Sequence, residues 1–172
     1  MTTPLWSVGE LLNRVAIYAV IVSLFGAYWS WKLLQWYLSA NSLLYCVLWT
    51  QCPLVFQSAM SYFYGVPIHV FAVIWFSILA LLGLARAYGK KKASLIGMLV
   101  GALCVPTIIY LDYIMVAIIH AICSDCELAH LTGLCVFILF IILYRSDRKS
   151  ETTKVKSNFQ DDGSESGSTT KP

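Results

Sequence analysis

Charge is the scarcest feature of this chain. Of its 172 residues, 12% are Asp, Glu, Lys or Arg and 59% are hydrophobic, whereas a soluble domain carries about 25% charged residues. That deficit excludes an ordinary water-soluble domain and points to a membrane. The basic residues are too few, and too closely confined to the flanks of apolar segments, to form a nucleic-acid footprint. A small-residue cleavage site is also missing after the first apolar run, which is long and aromatic, so that run is expected to stay as an anchor. Finally, residues 39–64 and 124–127 contain no Lys or Arg, a local lack that bears on orientation.

Apolar runs of spanning length, about 20 residues, recur four times. The first covers residues 15–38, with Lys32 as its only charge, close enough to the far end to snorkel. Trp29, Trp31, Trp36 and Tyr37 gather at that end, as aromatic rings do at a headgroup boundary. The others are residues 66–87, residues 93–122 with Pro106 as a kink site, and the short run 128–144. Pro53 suits the first position of a short helix reaching Met60, too short to span and apolar enough to lie in the interface. The expected fold is an all-α integral membrane protein, a four-helix transmembrane bundle with a short interfacial helix in its first outer loop. It occupies residues 1–149, and the polar residues 150–172 are expected to form a disordered cytoplasmic tail.

Orientation follows from the basic residues. Arg86, Lys90, Lys91 and Lys92 crowd the connection after the second span, and Arg145, Arg148, Lys149, Lys154, Lys156 and Lys171 follow the fourth. The positive-inside asymmetry puts both termini in the cytoplasm. Cys46, Cys52, Cys123 and Cys126 then share the outer side, where disulfides persist.

The pair Cys123 and Cys126, separated by Ser124 and Asp125, is the chemical focus. The run from Ser124 to Glu127 fits a capping box, which would set Cys126 in the first turn of the last span. The positive end of that helix favours a thiolate, and the acids Asp125 and Glu127 oppose it. Such spacing serves a redox dithiol, a structural disulfide or half a zinc site. Cys46 and Cys52, in a loop on the same expected side, favour a relay by thiol–disulfide exchange, with a four-thiolate zinc site as the alternative. Cys104 and Cys135 fall inside spans and read as small buried hydrophobes.

Asp112 is an acid within the third span, where such residues face a bundle interior or serve function; its structural alternative is a neutral or hydrogen-bonded carboxyl. It precedes Cys123 by eleven residues, about three turns, so an unbroken helix would set both on one face. His120 and His130 flank the dithiol by one turn each, and either could hydrogen-bond a quinone carbonyl or act as a satisfied interfacial group. His69 is less well placed.

The order Cys46, Cys52, Ser58, then Gly65, Val66 and Pro67 opening a span, then Cys123 and Cys126 opening another, resembles the vitamin K epoxide reductase family over about residues 15–144. The loop spacing is closer to its bacterial and archaeal members, here without a fused thioredoxin-like domain. The resemblance implies a four-helix bundle enclosing a quinone. Cys126 would reduce the quinone through a charge-transfer or adduct stage, with Cys123 as its disulfide partner. Cys52 would exchange with Cys123, Cys46 would meet a soluble thiol partner, and Ser58 matches a serine near the quinone. Two departures argue against epoxide reduction: His130 stands where animal members carry tyrosine, and Ile68 where they carry asparagine. Ala72 replaces a common glycine.

The function expected from this resemblance is a membrane thiol:quinone oxidoreductase that reoxidises an exported thioredoxin-like protein and passes electrons to menaquinone, ubiquinone or a similar quinone. Its catalytic residues would be Cys46, Cys52, Cys123 and Cys126, with Ser58, His130, His120 and Asp112 toward the quinone and no metal site. Its place would be a plasma membrane. The competing expectation is a non-enzymatic four-span scaffold or transporter with structural disulfides.

Overall fold

Membrane-spanning helices must satisfy every backbone group internally, and this chain does so in four segments long and apolar enough to cross a bilayer: Glu10–Trp36, Ile68–Ala87, Lys92–Ile119 and Ser124–Ser150. The computed structural model describes residues 5–38, 55, 58 and 61–165. Its elements in order are α1 (Leu5–Leu38), a minimal hairpin of β1 (Tyr62–Phe63) and β2 (Val66–Pro67), α2 (Ile68–Ala87), α3 (Lys92–Ala102), α4 (Cys104–Tyr113), a π-helical turn (Ile114–Ile119) and α5 (Ser124–Glu165). The protein is therefore the expected all-α, four-helix membrane protein. Most of the expected interfacial helix between Pro53 and Met60 lies outside the described residues, as do Cys46 and Cys52; Val55 and Ser58 are described.

The hairpin was not expected. Tyr64 and Gly65 have φ of 51° and 80°, the paired left-handed conformation of a two-residue turn whose twist suits antiparallel strands. Pro67, paired with Tyr62, stands at the N-cap of α2, which thus begins two residues later than the apolar run.

The backbone of α5 runs helical to Glu165. Composition reports whether a segment can bury a core, but a helix needs only continuous main-chain bonding, and residues 145–162 contain no Gly or Pro to interrupt it. The third span is broken twice, first at the expected kink site, Pro106. Helix α3 stops before Leu103, because Pro106 has no N–H to offer the Ala102 carbonyl. Beyond α4 the chain widens into the π turn and leaves helical geometry at His120, whose φ is 54°. Asp112 and Cys123 are thus not on one helix, and the shared face expected of them does not exist.

Helices α1 and α2 pack closely, as do α3 and α5, around Ala16, Ala19, Phe76, Leu79, Val136, Phe140 and Leu143. Small residues permit the approach: a methyl group on Gly26 would strike the Phe76 ring, and one on Gly97 the Phe140 ring. On the opposite face of α1, Ile17, Ile21, Leu24 and Tyr28 are exposed at helical spacing, as a lipid-facing stripe requires.

One polar contact joins three helices at the end where α2 stops. Arg86 donates from Nε and a terminal nitrogen to the Asp147 carboxylate at 2.8 and 2.5 Å, and Ser94 Oγ donates to the same carboxylate at 2.8 Å. Arg86 and Asp147 are both buried. Arg86 read as a flanking surface charge in sequence, and it is a bidentate buried one.

Asp147→Ala should therefore lower the thermal midpoint of detergent-purified protein, since removing one partner of a buried pair costs about 3–5 kcal/mol. Arg86→Met with Asp147→Leu should recover much of that loss. An Asp147→Ala midpoint equal to wild type would show that the contact contributes nothing to stability.

Candidate functional site

The dithiol lies at the start of α5, with Cys123 just before the helix and Cys126 in its first turn. Its backbone is fixed from α1, where Trp29 Nε1 donates to the Asp125 carbonyl at 3.2 Å, and the Glu127 N–H bonds the Cys123 carbonyl at 3.1 Å. Cys123 is fully buried against Leu33 and Met115, with Trp29, Trp36, Val55 and Cys126 around them. Cys126 is half-buried and carries a free thiol. It lies in the first helical turn of α5.

Cys126 borders a cavity of about 480 Å³, within the range of small-molecule sites. Helix α1 contributes Ser30 and Leu33; α2 contributes Ile68, Ala72, Trp75 and Phe76. Leu103, Cys104 and Thr107 close it at the first break of the third span, Ile114 and Met115 at the π turn, and Ala129, His130 and Gly133 follow Cys126 along α5. The lining is overwhelmingly apolar. Ser58 also lines it, with its hydroxyl donating to the Val55 carbonyl at 2.8 Å. Ser61 lies beside it, bonding the same carbonyl.

A polar cluster stands at the cavity edge. His130 Nδ1 lies 2.9 Å from Asp112 Oδ1 and 3.9 Å from Glu127 Oε2. The closer approach is an ion-pair distance without the alignment of a hydrogen bond, and both atoms are buried. Only His130 of the three lines the cavity. One donor atom from each lies within 4.8 Å of the others, so the chemistry this cluster offers is a shared proton or a cation held by one nitrogen and two oxygens, with no thiolate.

The sequence-predicted residues therefore divide. Cys126, Ser58 and His130 meet at the cavity, Cys123 lies buried behind the wall, and Asp112 reaches the cavity through His130. His120 does not join them: it is exposed, at the residue that ends the π turn. Cys46 and Cys52 lie outside the described residues. His69 is also buried in the cavity wall, on the stripe of positions 68, 69, 72, 75 and 76 along one face of α2. Cys104 also lines the cavity and packs against Gly133, while Cys135 is exposed.

Comparison with known proteins gives one match. The model of the vitamin K epoxide reductase family fits residues 14–141. Among curated proteins and solved structures, nothing matches.

Proposed function

This chain belongs to the vitamin K epoxide reductase family, and we propose that it is a membrane thiol:quinone oxidoreductase that reoxidises an exported thioredoxin-like protein. Family membership and four spans make it a multi-pass membrane redox enzyme whose chemistry joins disulfides to quinones. The direction, toward making disulfides, is our reading.

One observation carries it: the free thiol of Cys126 borders an apolar cavity large enough for a quinone head, with Cys123 three residues earlier. A disulfide between their sulfurs releases two electrons and two protons, which a quinone accepts as it becomes a quinol. The electrons reach this pair by exchange, a partner thiolate attacking a Cys46–Cys52 disulfide and Cys52 then attacking Cys123. That upstream half rests on the family resemblance of the loop. The basic residues support an orientation with both termini cytoplasmic and both pairs outside.

His130 suits the acceptor end. With Nδ1 turned to Asp112, its other ring nitrogen is the one a quinone carbonyl would meet, and a proton there would pass to the reduced oxygen. Asp112 and Glu127 stand beside Nδ1 of the same ring. Ile68 in the wall offers no amide to a carbonyl, which keeps epoxide reduction out of this reading.

Cys126→Ala should abolish quinone-dependent oxidation of a partner dithiol and remove any shifted absorbance of co-purified quinone. Unchanged oxidation would sink the proposal. Thiol trapping in cells depleted of quinone should accumulate reduced Cys123 and Cys126; a scaffold with structural disulfides would keep them oxidised.

His130→Phe should lower the rate of quinone reduction by about 10²-fold, the scale of general acid–base contributions, while mixed-disulfide formation with the partner proceeds as in wild type. Asp112→Asn should have a smaller effect on the same step. Full quinone reduction by His130→Phe would remove the histidine from the mechanism.

A further inference from the structure

Far from the dithiol, at the end of the bundle held by Arg86 and Asp147, the outer faces of α3 and α5 form a groove that the redox chemistry does not use. Its floor is apolar, made by Met98 and Ala102 of α3 with Phe137 and Ile141 of α5. Its rim is basic, made by Arg145, Arg148 and Lys149. The arrangement follows from helical periodicity: positions 137, 141, 145, 148 and 149 recur at three- or four-residue steps, so one face of α5 passes from apolar to cationic. From Phe137 to Arg148 that face runs about 16 Å along the axis at 1.5 Å per residue.

The change of character comes at the end of the fourth span, Ser124–Ser150, where basic residues flanking an apolar run favour lipid headgroups. Arg145 and Arg148 are exposed, and no lining residue is acidic. Asp147, the acid between the two arginines in sequence, does not neutralise the rim, because its carboxylate is engaged by Arg86 and Ser94 inside the bundle. An occupant must therefore present negative charge at the boundary and hydrocarbon below it, in one molecule.

We propose that this groove binds one anionic phospholipid, its phosphodiester held by Arg145 and Arg148 and one acyl chain lying along Phe137 and Ile141 against α3. Guanidinium groups suit phosphate oxygens through paired donors, and basic residues at a membrane surface favour anionic lipids over zwitterionic ones. The site depends on the boundary and not on which compartment it faces. Bound there, the lipid would brace the α3–α5 contact that Gly97 and Phe140 make.

The test is native mass spectrometry of the full chain in neutral detergent, titrated with phosphatidylglycerol or phosphatidylcholine of identical acyl chains. A single saturating phosphatidylglycerol adduct is expected at a concentration roughly tenfold or more below that for phosphatidylcholine. Arg145→Gln with Arg148→Gln should remove the preference while helicity by circular dichroism is retained; should the double variant lose helicity, Arg148→Gln alone should weaken the preference. Lys90→Gln with Lys92→Gln, a charge loss of equal size outside the groove, should leave it intact. Equal binding of the two lipids, unsaturable uptake, a preference that survives the arginine changes, an equal loss in the lysine variant, or displacement of the lipid by millimolar inorganic phosphate would each overturn the proposal.

Discussion

The carboxylate of Asp147 holds three helices together where hydrocarbon gives no reason for them to meet. Lipid tails are as apolar as leucine, so burial of apolar side chains supplies little drive for helix association in a bilayer. Close packing and polar contacts must supply it. Arg86 closes α2 and Ser94 opens α3, and both bond to Asp147 on α5. The glycine contacts at Gly26 and Gly97 extend the packing from there. With one end fixed in this way, the other can stand apart around a cavity without the bundle losing its register.

That second end uses the opposite device. Irregular backbone is tolerated at membrane depth only where it is buried in protein or lines a cavity, and both breaks of the third span border this one. Leu103 and Cys104 line it at the first break, Ile114 and Met115 at the π turn. A straight helix through these residues would have run past the site; the breaks bend the chain around it. Across the gap, Trp29 fixes the first turn of α5 by a single hydrogen bond to Asp125. The aromatic cluster that sequence reasoning assigned to a headgroup boundary thus also positions the turn that bears Cys126.

The spans were legible because their signal is composition over length, and composition was extreme. The capping pattern likewise put Cys126 in the first turn, where it lies. Contacts between segments were not legible. Arg86 and Asp147 are 61 residues apart, and nothing local distinguishes a buried arginine from its neighbours Lys90 and Lys91. Asp112 stood out as an intramembrane acid, but its partner came from another helix, and the face it was expected to share assumed a helix that breaks. His120 and His130 looked equivalent by spacing; the π turn swings the first out to the surface and leaves the second on the cavity wall.

The arrangement also bears on a conflict written into the sequence. Glu127 directly follows Cys126, and a carboxylate beside a thiol disfavours the thiolate that redox exchange requires. Successive residues on a helix point about a quarter-turn apart, and here that separation divides two environments. Cys126 turns to the cavity, and Glu127 turns to His130 and Asp112, outside the lining. The acid is thereby set against an imidazole able to carry a balancing positive charge, and the same imidazole is the polar group of the cluster that enters the cavity. Two carboxylates in an apolar span would be costly alone; here both are gathered on one histidine that lines the cavity. On this reading Glu127 serves the acceptor and not the thiol.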